Sequence, residues 1–162
     1  MTNQQFLAQT LAGERDRFRN VMAAVPADGL DYRPHPKSRT ARELVGHLIG
    51  HVQDLVELLD DGVINHRMQA AFDDAAHAMA LFDESYAGLL ERMQQVGDEA
   101  WATPADFLAG GQTIMTAPAQ ALAWMLFLDA VHHRGQLSTY LRPMGAKVPN
   151  IYGPSADAPM AH

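Results

Sequence analysis

Apolar positions recur at helical spacing in four stretches of this chain. Over residues 4–24, Leu7, Leu11, Phe18 and Met22 form one stripe, and Pro26 stops the run. Residues 40–60 carry Val45, Leu48, Ile49, Val52, Leu55, Val56 and Leu59, and Asp60-Asp61-Gly62 ends them. Thr40-Ala-Arg-Glu43 at their start matches a capping box, in which a hydroxyl and a carboxylate satisfy first-turn N–H groups reciprocally. Residues 73–96 place Met79, Phe82, Tyr86, Leu89, Leu90 and Met93 on one face before Gly97-Asp98. The fourth stretch, 117–142, has Thr116 as its expected N-cap, Pro118 in its first turn and Pro143 as its stop.

The connections are less periodic. Residues 26–38 are turn-rich. Residues 101–115 contain Ala109-Gly110-Gly111 and read as a short hairpin, marginal unless it packs on the helices. The tail, 145–162, reads as a wrap whose last few residues are disordered. The expected architecture is a single all-α domain over 1–162, a four-helix bundle. The 13 residues of 60–72 reach roughly 40 Å when extended, enough to run the length of a 20-residue helix at about 30 Å. That length permits a long crossover between the second and third helices and equally permits a simple up-down order.

Charge and cysteine content narrow the function. With 12 basic and 19 acidic residues the net charge is −7, and no basic stretch advertises a nucleic-acid face. The absence of cysteine excludes disulfides, thiolate-ligated metal and a cysteine nucleophile. The longest strongly apolar run, 121–128, is far short of the ~20 residues of a membrane span, and Met1-Thr-Asn-Gln-Gln shows no signal core. A cytoplasmic location is the expectation.

Eight histidines are many for 162 residues. His47 and His51 lie one turn apart on the second helix, among apolar neighbours. Asp129 and His133 lie one turn apart on the fourth, and positions four apart project side by side. A carboxylate on an apolar stripe is costly unless it is paired or bound to a metal. An Asp–His hydrogen bond and a metal pair explain Asp129 and His133 equally well. Adding His47 gives two nitrogens and a carboxylate with open positions, the donor set of catalytic zinc sites. His51 is a proton-shuttling catalytic candidate, a neighbour to the ligands, or a packed core residue. His132 points about 100° away from His133 and reads as a surface or dimer-face residue.

Three elements together resemble the DinB/YfiT superfamily: Thr40-Ala-Arg-Glu-Leu-Val-Gly-His47, Asp129-Ala-Val-His-His133-Arg-Gly-Gln136, and Pro149-Asn-Ile-Tyr-Gly-Pro-Ser-Ala156. The resemblance covers about Phe6 to Ala156. It implies a four-helix bundle with a long crossover between helices two and three, often a homodimer. It also implies a divalent metal, zinc first and nickel second, held by His47, Asp129 and His133. Asp129 departs from the commoner triple-histidine pattern, while the mycothiol-dependent isomerase relatives carry a carboxylate there. The implied chemistry is a water or a low-molecular-weight thiol activated for hydrolysis or S-transfer. The alternatives are a non-catalytic metal-binding stress-response dimer and a metal-free bundle. No membrane or nucleic-acid partner is expected. If the metal set is right, the three side chains converge on one point; separations beyond about 8 Å would exclude a common ion, whose bonds are only about 2.0–2.2 Å long.

Overall fold

The computed structural model describes residues 1–159. The expectation of a disordered extreme tail concerns 160–162 and lies outside the described residues. Four long helices form the body: α1 (Asn3–Ala23), α2 (Ala41–Asp61), α3 (Ala75–Gln95) and α5 (Ala119–Leu141), with a short α4 (Asp98–Ala102) between the last two. Around the bundle the order is α1, α3, α2, α5, because α2 packs on α3 and α5, and α1 packs on the same two.

Local chemistry sets the ends. The Thr40 side chain accepts from the Glu43 N–H, and the Glu43 carboxylate accepts from the Thr40 N–H. Those Thr40 hydrogen bonds hold the Glu43 carboxyl below its ordinary pKa, with nearby Arg33 and Arg39 adding to the effect. Thr2 and Gln5 make a second capping box on α1. Gly62 ends α2 in the left-handed region, at φ 67°.

The all-α expectation is corrected. Among the described residues there is a three-stranded mixed sheet, ordered β1 (Val63–His66), β2 (Pro104–Ala109), β3 (Gln112–Pro118). Gly110 and Gly111, at φ 59° and 76°, turn the β2–β3 hairpin tightly. The element that helical periodicity could not reveal is β1. It pairs parallel to β2, with Ile64 opposite Phe107, and Ile64 is fully buried. Two strands alone are marginal in water, so a third from the crossover gives the hairpin a packed partner. Thr116 is likewise not the cap of α5. It lies in β3, with its hydroxyl on Asp106. Pro118 takes the cap position without a side-chain bond, and the first α5 N–H is met by the Thr103 carbonyl at 2.9 Å.

The segment between α2 and α3 runs back along α2. Successive contacts descend the helix: Asn65 N to Glu57 (2.8 Å), His66 to Asp54 (2.6 Å), the Met68 carbonyl to His47 (2.7 Å) and Ala70 N to the Gly46 carbonyl (2.8 Å). α3 therefore starts near the beginning of α2. Gly46 and Gly50 make this approach sterically open. A Cβ on Gly46 would sit 2.7 Å from the Ala70 oxygen, and one on Gly50 would sit 3.3 Å from the Arg67 oxygen.

Arg134 and the tail lock the opposite side. Arg134 is 1 % exposed, pairs with Glu14 of α1, and stacks 4.5 Å over the Phe18 ring. Its Nη2 donates to the Tyr152 hydroxyl at 2.6 Å, which in turn donates to Glu14. Glu43 takes no part in this network; its carboxylate is occupied with Thr40. The tail is further tied by Arg17 Nε to the Ile151 carbonyl (2.9 Å) and by Asp157, which accepts from Val148 N and Arg142.

Glycine-to-alanine exchanges test this packing by sign. Gly135 lies exposed in α5 with nothing within 4 Å of its added Cβ, so Gly135→Ala should stabilise by about 0.5–1 kcal/mol. Gly46→Ala meets backbone and should destabilise by about 1–3 kcal/mol despite the same propensity gain. Denaturant midpoints of the two variants should move in opposite directions.

Candidate metal centre

α2 and α5 carry the residues, and the returning crossover orients them. His47 and His51 are buried, at 3 % exposure each, and their rings are 4.2 Å apart. Asp129 is half-exposed rather than buried, because its place on α5 opens on a cleft and not on the core. Its Oδ2 lies 2.8 Å from His51 Nε2, 3.3 Å from His133 Nε2 and 3.6 Å from His47 Nε2. The three residues expected to hold a metal thus converge, and His51 joins them. His47, His51 and Asp129 each offer one ligand atom within 4.8 Å of one another.

The outer nitrogens are already committed. His47 Nδ1 donates to the Met68 carbonyl at 2.7 Å, and His133 Nδ1 donates to Gln136 Oε1 at 3.0 Å. A carbonyl oxygen only accepts, so each neutral ring keeps its lone pair on Nε2. Such outer bonds fix the tautomer and aim of metal-binding imidazoles. The result is two imidazole lone pairs facing one carboxylate oxygen. Acceptors pointed at an acceptor repel unless a cation lies among them, and a divalent ion fits this donor set.

The ionisation of the rings agrees. Burial pushes the His47 imidazole down to about 4, with the neighbouring His51 adding to the effect. Burial also lowers His133, against the hydrogen bond it donates to Gln136. His51 differs. Burial lowers it, but the hydrogen bond to Asp129 and the nearby carboxylates of Asp129 and Asp54 together more than reverse this, so its pKa is raised. The His51 hydrogen bond holds the Asp129 carboxyl well below the usual carboxylate range, with help from the charge of His133.

Sequence reasoning missed Asp54 and His66. Asp54 is 2 % exposed on α2, three residues after His51, and its carboxylate accepts from His66 Nδ1 at 2.6 Å. Its position on the apolar stripe of α2 was a legible signal. His66 sits in β1, where no helical spacing points to it. His51 Nδ1 lies 3.8 Å from Asp54 and has no hydrogen-bond partner. Five histidines line one cleft of about 610 Å³: His47, His51, His66, His132 and His133. His132 is exposed yet reaches this cleft. Phe107, Met125 and Leu128 supply apolar wall.

The mostly helical fold carries a histidine and carboxylate cluster spanning two bundle helices, with donor atoms close enough together for one metal ion. The chain matches the sequence model of the DinB family over residues 1–160, and it belongs to that family. A DinB-like protein from Bacillus subtilis superposes with a TM-score of 0.72 at 18 % identity, covering 89 % of this chain and 95 % of that one. A DinB-like protein from Bacillus cereus gives 0.71 at 19 % identity, covering 89 % and 94 %. A histidine-to-alanine mutant of the mycothiol-dependent maleylpyruvate isomerase gives 0.56 at 12 % identity, covering 91 % of this chain and 65 % of the isomerase. No curated protein matches the sequence.

His47 and His51 should titrate apart. In metal-free protein, NMR of the ring Cε1–H signals should show His47 neutral down to about pH 4 and His51 protonated above its ordinary pKa. The unfolded chain takes up the His47 proton near pH 6.5 while the fold refuses it until about 4, so this group removes stability as pH falls through that window. A His47 midpoint near 6.5 would contradict the burial argument.

Proposed function

We propose that this chain is a divalent-metal-dependent enzyme with His47, Asp129 and His133 as its ligands, zinc the first choice and nickel the second. The reaction is attack by an activated water or low-molecular-weight thiol on an electrophile, as hydrolysis or S-transfer, in the cytoplasm. The observation that carries this reading is the pair of imidazoles whose Nδ1 atoms are bound outward, leaving both Nε2 atoms within 3.6 Å of one Asp129 oxygen. A divalent ion held there lowers the pKa of a water or thiol that shares it, which supplies a nucleophile at neutral pH.

The chain's own residues do the rest. Asp129 contributes a negative charge, which makes the site less acidifying than three imidazoles would be. His51 holds a proton on Nε2 against Asp129 and leaves Nδ1 free to accept another, the arrangement a proton shuttle requires. The cleft of about 610 Å³ beside these residues has room for a small substrate, which favours an enzyme over a sealed, non-catalytic metal site. A chain without cysteine must take any thiol from solution. The thiol branch draws further support from the structural neighbour whose name specifies mycothiol dependence.

Zinc calorimetry decides the ligand set. Wild type should bind one equivalent at this site, and His47→Ala and His133→Ala should abolish it. Asp129→Ala should weaken binding by more than the roughly 10–100-fold that loss of an orienting partner costs, and Asp129→His should restore it. Unchanged affinity in Asp129→Ala would remove Asp129 from the set and put His51 in its place. Zinc-loaded protein screened against thiol and electrophile pairs should show turnover that a chelator stops.

A homodimer is part of the same proposal. The dimer does not draw on Phe127 or Trp124, which have partners within the chain: Phe127 is buried in the core, and Trp124 stacks on Phe6 at 5.9 Å. What supports it now is an exposed apolar rim at the cleft, with Met68 at 63 %, Leu128 at 59 % and Met125 at 37 % exposure. Sedimentation should give twice 17.8 kDa at micromolar concentration, and a clean monomer would reject the dimer.

A further inference from the structure

Arg39 is the one guanidinium on the wall of the metal cleft. It stands immediately before the Thr40 cap of α2, so its backbone is fixed: its carbonyl accepts from the Tyr140 hydroxyl at 3.2 Å. Its side chain forms no ion pair with any carboxylate among the described residues. Its Nη1 is buried and has no hydrogen-bond partner there. Arg33 and Arg67 also have no ion pair among the described residues, but of these three only Arg39 lines the cleft and holds a buried nitrogen without a partner. Arg134, Arg19 and Arg92 all have a carboxylate partner.

A partly buried cation with an unmet donor is costly unless something else supplies the acceptor. Asp129 is the sole carboxylate lining the cleft; its Oδ2 is engaged by His51, and Arg39 makes no ion pair with it. The positive charge of Arg39 also reaches the ligand histidines, since it is among the causes that lower both His47 and His133. The same cleft has apolar lining from Phe107, Met125, Leu126 and Leu128.

We propose that Arg39 binds the carboxylate of the small-molecule ligand, whose apolar body lies against Phe107, Met125 and Leu128. The ligand class is therefore an apolar organic carboxylate. A guanidinium suits this task because its planar fork matches the two carboxylate oxygens, and the charge-assisted bonds are strong in a partly dry cleft. The apolar wall separates this ligand from small hydroxy acids and other polar carboxylates. The proposal rests on the cleft being the ligand site, as inferred above, and not on the metal.

The test uses metal-free full-length protein, so that a probe cannot bind through an ion. Three probes are titrated calorimetrically: benzoate, its neutral isostere benzamide, and the polar carboxylate lactate. Benzoate should bind at least tenfold more tightly than either of the others. Arg39→Gln should reduce benzoate to the benzamide level and leave benzamide unchanged, while Arg39→Lys should keep a charge-dependent preference. Circular dichroism and the benzamide affinity of Arg39→Gln show whether that variant is folded with an intact cleft; if it is not, the Arg39→Lys preference decides. The proposal is overturned if benzoate and benzamide bind alike, if Arg39→Gln leaves benzoate affinity unchanged, if lactate matches benzoate, or if benzoate does not bind wild type. Zinc titration in the same protein is a separate readout, so loss of the metal reading and loss of the anion site are distinguishable.

Discussion

The organisation of this molecule depends on how closely a strand-forming connection can lie against a helix. Gly46 and Gly50 remove two side chains from one face of α2, and the segment from β1 to Ala70 occupies the space. The same approach does three jobs. It aligns β1 with β2, it buries the Asp54–His66 hydrogen bond, and it brings the Met68 carbonyl onto His47. Helix packing alone would leave the His47 ring free to rotate. The backbone of the crossover fixes which nitrogen faces the cleft, and the fold and the chemistry are thereby set by one contact.

α5 solves the same problem by different means. His133 is oriented by Gln136, three residues on, without help from another element. Arg134, between them, points the other way, into a buried pair with Glu14 and under the tail residue Tyr152. Neighbouring residues on one helix thus serve opposite faces: His133 the cleft, Arg134 the packing of α1 and the tail. The raised pKa of His51 beside the lowered one of His47 follows from the same asymmetry, since only His51 has carboxylates near both nitrogens.

The long helices were legible because they bury stripes at helical period, and Thr40 was legible because a capping box has a sequence form. The sheet was not. β1 is four residues long, Val63–His66, and its reason for being a strand is its neighbour β2, some forty positions away. Thr116 shows the converse error: a good capping residue was claimed by a ladder. At the site, the side chains of His47, Asp129 and His133 lie near one another, as their spacing suggested, but Asp129 is more exposed than its stripe implied. The apolar stripe around Asp129 suggested a dry face, whereas the cleft cuts into the bundle at that level. His66 and Arg39 escaped notice because each sits outside a helix, where no periodicity marks which way a side chain faces.

The His51–Asp129 hydrogen bond spans 78 residues of chain. Closing a loop of that length costs entropy, and α3 and the whole sheet lie within it. The cluster therefore has no local precursor: a nascent chain presents α2 long before α5 exists, and the partners meet only once the bundle has closed. A ligand gripping both helices recognises the closed chain alone, so its occupancy would report on the integrity of the entire fold. It would act as a late-arriving clasp whose hold adds directly to global stability by mass action.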